Sequence, residues 1–94
     1  MHLTVDGKEY VVSFQHDRTL RITVCVVVEE KNVEEEPLVG VATCSLRDNF
    51  NRAIGRKLSL ARAIAEGFPR ERRKAFWVAY WSAREKETGH QWRA

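Results

Sequence analysis

Three histidines and two cysteines are the side chains of this chain best suited to bind a metal or attack a substrate. They are His2, His16, His90, Cys25 and Cys44. No two of them stand at the CxxC, HxxxH or CxxH spacing that structural zinc sites normally use. The chain also lacks the GxSxG, Walker-type and dinucleotide-binding glycine patterns. We therefore predict no metal site, no bound cofactor and no enzymatic activity.

Two interpretations fit Cys25 and Cys44. By parity, Cys25 lies on the outer face of the third predicted strand, and a four-residue turn at 33–36 would set it opposite Cys44, so a disulfide is geometrically possible. Because no secretion signal is visible, we favour two reduced thiols that act as small hydrophobes. Cys44 adjoins a predicted helix start, which lowers a thiol pKa, but no histidine nearby in sequence could act as its base.

Glutamates at 29–30 and 34–36 form the densest group of carboxylates. Paired carboxylates can perform acid–base chemistry when burial raises the pKa of one of them. This run flanks Pro37, which is typical of a solvated loop, so we predict an exposed acidic loop.

Arginines are concentrated in the second half of the chain. Arg52 and Arg56 stand one helical turn apart, roughly opposite Ile54 and Leu58 at about 100° per residue. Four cations then fall within five residues: Arg70, Arg72, Arg73 and Lys74. Guanidinium groups bind phosphate oxygens in bidentate fashion. Alternatively, the arginines only solvate the outer face of a small domain.

One face of the second predicted helix interleaves indoles with cations. It carries Arg70, Lys74, Trp77, Trp81 and Arg84. Such a face can stack on nucleic-acid bases or form a protein hot spot, while a different face with Phe76 and Tyr80 supplies the core. Alternatively, the helix is wedged between the sheet and the first helix, so that both faces are buried and the cations extend to solvent.

Part of the chain resembles a known group of proteins. Segment 40–63 contains Cys44-Ser45, Asp48-x-Phe50, Gly55-Arg56 and Leu60-x-Arg62-Ala63. It is similar to a segment of small orphan proteins encoded by bacteriophages and prophages, over about a quarter of the chain. The resemblance implies context and no site residues: small phage proteins without catalytic motifs are often regulators or antagonists of host machinery, including polymerases and CRISPR effectors.

Four strands are predicted before the helices, at 2–5, 9–15, 20–29 and 38–44. Asp6-Gly7 is a two-residue hairpin signal because glycine tolerates positive φ, and residues 16–19 form a second turn. The third strand has the clearest strand pattern in the chain. Alternation places five of its apolar residues on one face: Leu20, Ile22, Val24, Val26 and Val28.

The second half changes to helical periodicity. Ser45 and Asp48 have capping-box spacing, and one face then carries Phe50, Ile54, Leu58, Ala61, Ile64 and Ala65. Gly67 ends this helix and Pro69 opens the next, which runs from about 70 to 87 with Phe76, Tyr80 and Ala83 aligned. Gly55 costs the first helix about 1 kcal/mol relative to alanine, which predicts a close approach of the sheet or the second helix. The functional alternative is close approach to a phosphate backbone.

These elements predict a single α+β domain. A four-stranded antiparallel β-meander (1–44) precedes a helical pair (45–88) packed on one sheet face, and residues 89–94 form a tail. Ninety-four residues with 44% hydrophobic and 31% charged side chains suit one small soluble domain. The longest apolar run, 24–28, is far below the about 20 residues of a membrane span.

The net charge of +3 hides a division between the two halves. Residues 1–46 contain four basic and eight acidic side chains, a charge of −4, whereas residues 47–94 contain twelve basic and five acidic, a charge of +7. We therefore expect the helical half to meet an acidic partner.

The expected function is non-catalytic binding in the cytoplasm, that of the host cell if a phage encodes the protein. A phage-type accessory regulator or inhibitor would dock on a nucleic acid or on a host protein that handles nucleic acid. The alternatives are a DNA- or RNA-binding module without an inhibitory role and a structural protein that oligomerises through a sheet edge. The predicted binding residues are Arg52, Arg56, Arg70, Arg72, Arg73, Lys74, Trp77, Trp81 and Arg84.

Overall fold

A four-stranded sheet followed by two helices makes up residues 1–32, 34–44 and 51–88, which the computed structural model describes. The elements are β1 (His2–Val5), β2 (Lys8–Asp17), β3 (Ile22–Glu29), β4 (Leu38–Thr43), α1 (Arg52–Gly67) and α2 (Arg70–Thr88). The strands are antiparallel in the order β1-β2-β3-β4. Both helices cover one face of this sheet, α1 over β3 and β4 and α2 over β1. The predicted α+β fold is confirmed.

The first hairpin turn is the one that the sequence predicts. Asp6 and Gly7 both have positive φ, 51° and 76°, as a two-residue turn of type I′ requires. Val5 pairs with Lys8 across the turn. The register of β1 on β2 is therefore set locally.

The second turn lies later than predicted. β2 continues to Asp17, and the Asp17 carboxylate accepts a hydrogen bond from the Leu20 N–H at 2.9 Å. Arg21 then reverses the chain with φ of 55°. Placing Leu20 in a strand face was therefore wrong, because this side chain lies in the turn and is 66% exposed.

The face of β3 that the helices cover is the opposite of the expected one. Thr23, Cys25 and Val27 are buried, whereas Val24 and Val26 face away from the helices. The alternation of residues along β3 could not identify its inner face, because both faces of this strand are apolar. The register decides it: Val27 pairs with the buried Val12 of β2, and Cys25 pairs with Gly40 of β4.

The same register shows whether Cys25 and Cys44 can form a disulfide. Cys25 lies opposite Gly40 rather than opposite Cys44, whose N–H donates to the Arg21 carbonyl at 2.8 Å. No disulfide joins the two cysteines. Of the two interpretations, the disulfide is therefore wrong and the favoured one, two free thiols, is confirmed. Burial raises the pKa of Cys25 to about 12, so this thiol stays protonated and packs as an apolar group.

α1 presents a different stripe to the sheet from the one predicted. Ser59, Leu60, Ala63 and Ile64 are its buried residues. Of the predicted stripe, Ile64 is buried, but Ile54 is 56% exposed and Leu58 41% exposed, and Ala65 is exposed as well. The predicted Phe50 contact lies outside the described residues.

Close backbone approach explains this rotation of α1. A Cβ on Gly40 would overlap the backbone of Ser59 and Ala63, and a Cβ on Gly55 would overlap the side chain of Thr23. Small residues on the sheet-facing side of α1 therefore let the helix lie directly on β3 and β4. The expectation that Gly55 marks a close approach is confirmed, with the sheet as its neighbour.

The helix ends follow local capping chemistry. The Asn51 side chain caps α1 by accepting from the Ile54 N–H at 3.1 Å, while the predicted cap at Ser45 and Asp48 lies outside the described residues. α1 ends at Gly67, but the predicted glycine cap is wrong: Gly67 is the last helical residue without positive φ, and the cap is the extended Phe68, whose N–H donates to the Ile64 carbonyl. A Cβ on Gly67 would meet the end of the Leu38 side chain.

α2 begins directly after Pro69 and ends within a residue of its predicted limit. Phe76 and Tyr80 are buried in the core, as expected. The Tyr10 ring meets Phe76 at 5.6 Å between centroids, and Phe14 meets Tyr80 at 6.3 Å, both edge to face. These aromatic contacts join α2 to β2 and fix which of its side chains point outward.

Candidate binding surface of the helical layer

The predicted basic side chains fall into two groups at opposite ends of α2. One group joins Arg84 to Arg52 and Arg56 of α1, and the other is the α2 amino-terminal group Arg70, Arg72, Arg73 and Lys74. Residues 72 and 84 lie about 18 Å apart along the helix axis, at about 1.5 Å per residue. The two groups can therefore be assessed separately.

Arginines from both helices converge beside β2. Arg56 and Arg84 line a crevice with Ala53, Tyr80 and Trp81. They also line an adjoining groove together with Met1, Val12, Ser13, Phe14 and His16. Arg52 acts on His16 electrostatically and lies one turn before Arg56. We call Arg52, Arg56, Arg84 and His16 the inter-helix basic cluster.

Neither the crevice nor the groove is lined by a carboxylate of the described residues. The charged side chains among the described residues that line these two hollows are therefore cationic. Such a surface attracts anions and raises their local concentration.

His16 is held neutral by its surroundings. Burial lowers its pKa, and the charges of Arg56 and Arg52 lower it further. Its Nδ1 lies 2.9 Å from Thr23 Oγ1, within hydrogen-bond distance. An anion that neutralises these arginines would cancel their contribution to the lowered pKa of His16, while the larger effect of burial would remain.

Arg56 lies beside the buried Tyr80, and both line the crevice. Burial raises the pKa of Tyr80, and the nearby charges of Arg84 and Arg56 oppose that rise. The Arg56 Nε is buried, and no hydrogen-bond partner for it is found in the described part of the chain. Arg56 is therefore half-buried, whereas Arg52, on the turn before it, is exposed.

Arg72 and Arg73 of the amino-terminal group make internal contacts. The Arg72 guanidinium lies 5.6 Å from the centre of the Phe68 ring, and its Nε is 3.9 Å from an Asp6 carboxylate oxygen. Arg73 donates to the Ala65 carbonyl of α1 at 3.3 Å. Arg70 and Lys74 are exposed.

The acidic half of the chain reaches this end of α2. Arg72 shares the lining of a cavity of about 280 Å³ with Glu29, Glu35 and Glu36. Carboxylates of β3 and of the acidic loop therefore lie on the same cavity as this arginine, whose ion pair is with Asp6. Glu35 and Glu36 are themselves exposed, in agreement with a solvated loop.

The two tryptophans are half-buried rather than fully presented to solvent. Trp77 stacks on Trp81 with 6.0 Å between ring centres, and Trp81 meets the Tyr80 ring edge to face at 5.0 Å. Trp81 also lines the crevice with Ala53 of α1. Both indoles pack against the core, so this face of α2 is partly buried, as the alternative interpretation expects. α2 is not wedged between the sheet and α1, because α1 itself lies directly on β3 and β4.

His16 is not among the predicted binding residues, although the alternation of residues along β2 indicates which way its side chain faces. It continues the alternation of Tyr10, Val12 and Phe14 along β2, so it must face the helices. Its position at the end of the strand then places it beside the first turns of α1.

Within the described ranges, no three metal-ligating side chains group closely enough to hold an ion. Neither described helix has the length and apolar character needed to cross a membrane. No described protein family, curated protein or solved structure matches the chain.

Proposed function

We propose that this chain is a small non-catalytic binding protein that docks its basic helical half on a nucleic acid. A phage-type accessory regulator or inhibitor would use such a surface to occlude nucleic acid, and a plain DNA- or RNA-binding module would use the same contacts. Phosphate oxygens are the ligands that guanidinium groups bind best. The inter-helix basic cluster is the primary docking surface, and the α2 amino-terminal group is the secondary one.

The convergence of Arg52, Arg56 and Arg84 beside His16 carries the proposal. Three cations from two helices share one end of the molecule, and no carboxylate of the described residues lines the groove between them. An arrangement meant only for solubility would intersperse both signs of charge. The charge of +7 on residues 47–94 also makes the whole helical half attractive to an anionic partner.

A salt-dependent binding measurement tests the proposal. Fluorescence anisotropy with labelled single-stranded and duplex oligonucleotides would be recorded for the wild type and for Arg52→Gln/Arg84→Gln. We expect the variant to bind at least about tenfold more weakly. The slope of log affinity against log salt should fall by about 2, because each substitution removes a cation that neutralises one phosphate.

The matched control removes two cations elsewhere. Arg18→Gln/Lys31→Gln changes the net charge equally, and both side chains are exposed in turns of the acidic half. This control should retain nearly full affinity. Absence of binding even at low salt, or equal weakening by both double variants, would refute the nucleic-acid proposal.

A host protein that handles nucleic acid is the second candidate, and one observation favours it. Ile54 and Leu58 are exposed one helical turn apart on α1. At about 100° per residue, Lys57 and Arg62 flank them on the helix surface. Exposed apolar groups with a charged rim are typical of protein interfaces. Pulldown from host lysate with the wild type and Ile54→Ser/Leu58→Ser tests this: a specific complex should form with the wild type and be absent with the variant.

A further inference from the structure

The sheet surface opposite the helices is unusually apolar. It carries six valines, Val11, Val24, Val26, Val28, Val39 and Val41, which we call the valine face. Val39 is 54% exposed and Val41 is 41% exposed, although both are on a regular strand. Antiparallel sheets with one solvated face normally alternate apolar and polar residues, and β3 does not.

The valines form one continuous patch. Val11 pairs with Val28 across β2 and β3. Val26 pairs with Val39, and Val24 with Val41, across β3 and β4. Directly paired side chains have Cβ atoms about 5 Å apart, so the patch extends over three neighbouring strands without interruption.

The centre of the patch contains no formal charge. Ser13 and Gln15 are the polar residues of β2 on this face, while Glu9 and Asp17 lie towards the two ends of that strand and His2 of β1 lies opposite Val11. An uncharged centre gives no electrostatic steering to a nucleic acid. An apolar centre with a polar rim is the usual composition of a protein–protein interface.

We infer that the valine face is a homodimer interface, on which a second copy of this chain packs sheet against sheet. Two such faces can match each other about a two-fold axis, because each presents the same β-branched surface. Sheets packed in this way lie about 10 Å apart with their inner side chains interdigitated. The pair would form a β-sandwich core from two open sheets.

The size of the face is sufficient for a stable dimer. The whole sheet face has the valines at its centre and Thr4, Glu9 and Asp17 at its rim. Its four strands, about 4.8 Å apart and on average about seven residues long, span roughly 440 Å² in projection on each copy. The accessible area of a corrugated surface exceeds its projection, so two copies bury about 1,000 Å² together, which is the lower limit for specific interfaces. Edge-to-edge pairing through β1 or β4 would leave the valines in water, so it does not account for them.

The dimer leaves both helical layers on the outside. Each inter-helix basic cluster then faces away from the two-fold axis, and charge repulsion between copies is low. Dimerisation does not depend on nucleic-acid binding, so either conclusion can fail without the other.

Sedimentation equilibrium of the full chain tests the dimer. At about 100 µM, where a dimer with a dissociation constant of about 10 µM would predominate, we expect a mass of twice 10.9 kDa. Val39→Lys should raise the dissociation constant at least about tenfold, because it buries a charge in the interface. A monomeric wild type at this concentration would overturn the inference, whatever the variants do.

Val78→Lys is the matched control, since Val78 is 61% exposed on α2, away from the sheet. It makes the same chemical change and should remain dimeric. Equal dimerisation of Val39→Lys and Val78→Lys would instead indicate pairing through a strand edge and overturn the face-to-face arrangement. Circular dichroism establishes that each variant is folded, and the milder Val41→Thr, which keeps the strand propensity, should weaken the dimer if Val39→Lys does not fold.

Discussion

His16 is a single residue through which the sheet and the helix α1 interact. Its ring is hydrogen-bonded to Thr23 of β3 and lies within the electrostatic reach of Arg52 and Arg56. Thr23 in turn contacts Gly55, whose missing side chain lets α1 approach. A charge on this histidine would therefore face two arginines across a tightly packed contact, and the folded protein disfavours it.

Acid should destabilise the fold partly through His16. Its pKa is lowered in the folded state by burial, Arg56 and Arg52, whereas the unfolded chain has an ordinary histidine pKa near 6.5. Below about pH 6.5 the unfolded chain takes up a proton that the folded chain resists, so the stability present at neutral pH decreases as the pH falls. Urea unfolding at about pH 7.5 and about pH 5.5, roughly one unit on each side of that pKa, should show a larger loss of stability for the wild type than for His16→Gln.

Histidine NMR titration provides a direct check on the cause. Arg52→Gln should raise the pKa of His16 relative to the wild type, because it removes one of the two positive charges that lower it. Arg18→Gln, which removes an exposed charge not involved in this shift, should leave it unchanged. An unaltered pKa in Arg52→Gln would contradict the proximity of these two residues.

At the scale of the element, α1 shows how backbone approach overrides apolar spacing. The helix turns small residues towards β4, where Gly40 faces the backbone of Ser59 and Ala63. Ser59 is fully buried because its hydroxyl donates to the Arg56 carbonyl at 3.2 Å, within the helix. Hydrophobic side chains of larger volume would hold the helix farther from the sheet.

Two leucines of α1 distinguish the observed packing from the stripe that the sequence favours. Leu60 is completely buried and Leu58 is 41% exposed. Leu60→Ala should lower the free energy of unfolding by about 2–5 kcal/mol, because it removes buried methyl groups and leaves a cavity. Leu58→Ala should cost less than about 1 kcal/mol, because much of that side chain already contacts water.

Denaturant unfolding of both variants checks this assignment. Both substitutions remove the same atoms from the same helix, so helix propensity affects them equally. A larger loss of stability in Leu58→Ala than in Leu60→Ala would mean that α1 lies on the sheet in the orientation that the sequence predicts.

The sequence predicts some features of the helices and strands correctly and others not. The hairpin at Asp6-Gly7 and the start of α2 after Pro69 were predictable, because their signals are local backbone chemistry. The inner faces of β3 and α1 were not, because each choice depends on a partner distant in sequence. Gly40 is the clearest case: its role is visible only when α1 is placed against it.

At the scale of the whole molecule, three surfaces have different character. The helical layer carries the basic cluster, the loop between β3 and β4 carries exposed carboxylates, and the centre of the far side of the sheet is apolar. The charge division between the two halves was visible in the sequence. The convergence of Arg84 with Arg52 and Arg56 was not, because it requires the antiparallel placement of the two helices.

Salt should separate the two interactions that these surfaces support. Nucleic-acid binding releases counterions, so contacts to about four phosphates would weaken the affinity about 100-fold between about 50 and 200 mM salt. The six valines at the centre of the proposed dimer interface are uncharged, and burial of apolar area does not weaken with added salt. The dimer dissociation constant should therefore change by less than about threefold over the same range. Anisotropy and sedimentation at matched salt concentrations measure both, and a dimer that dissociates in parallel with nucleic-acid release would show that one electrostatic contact controls both interactions.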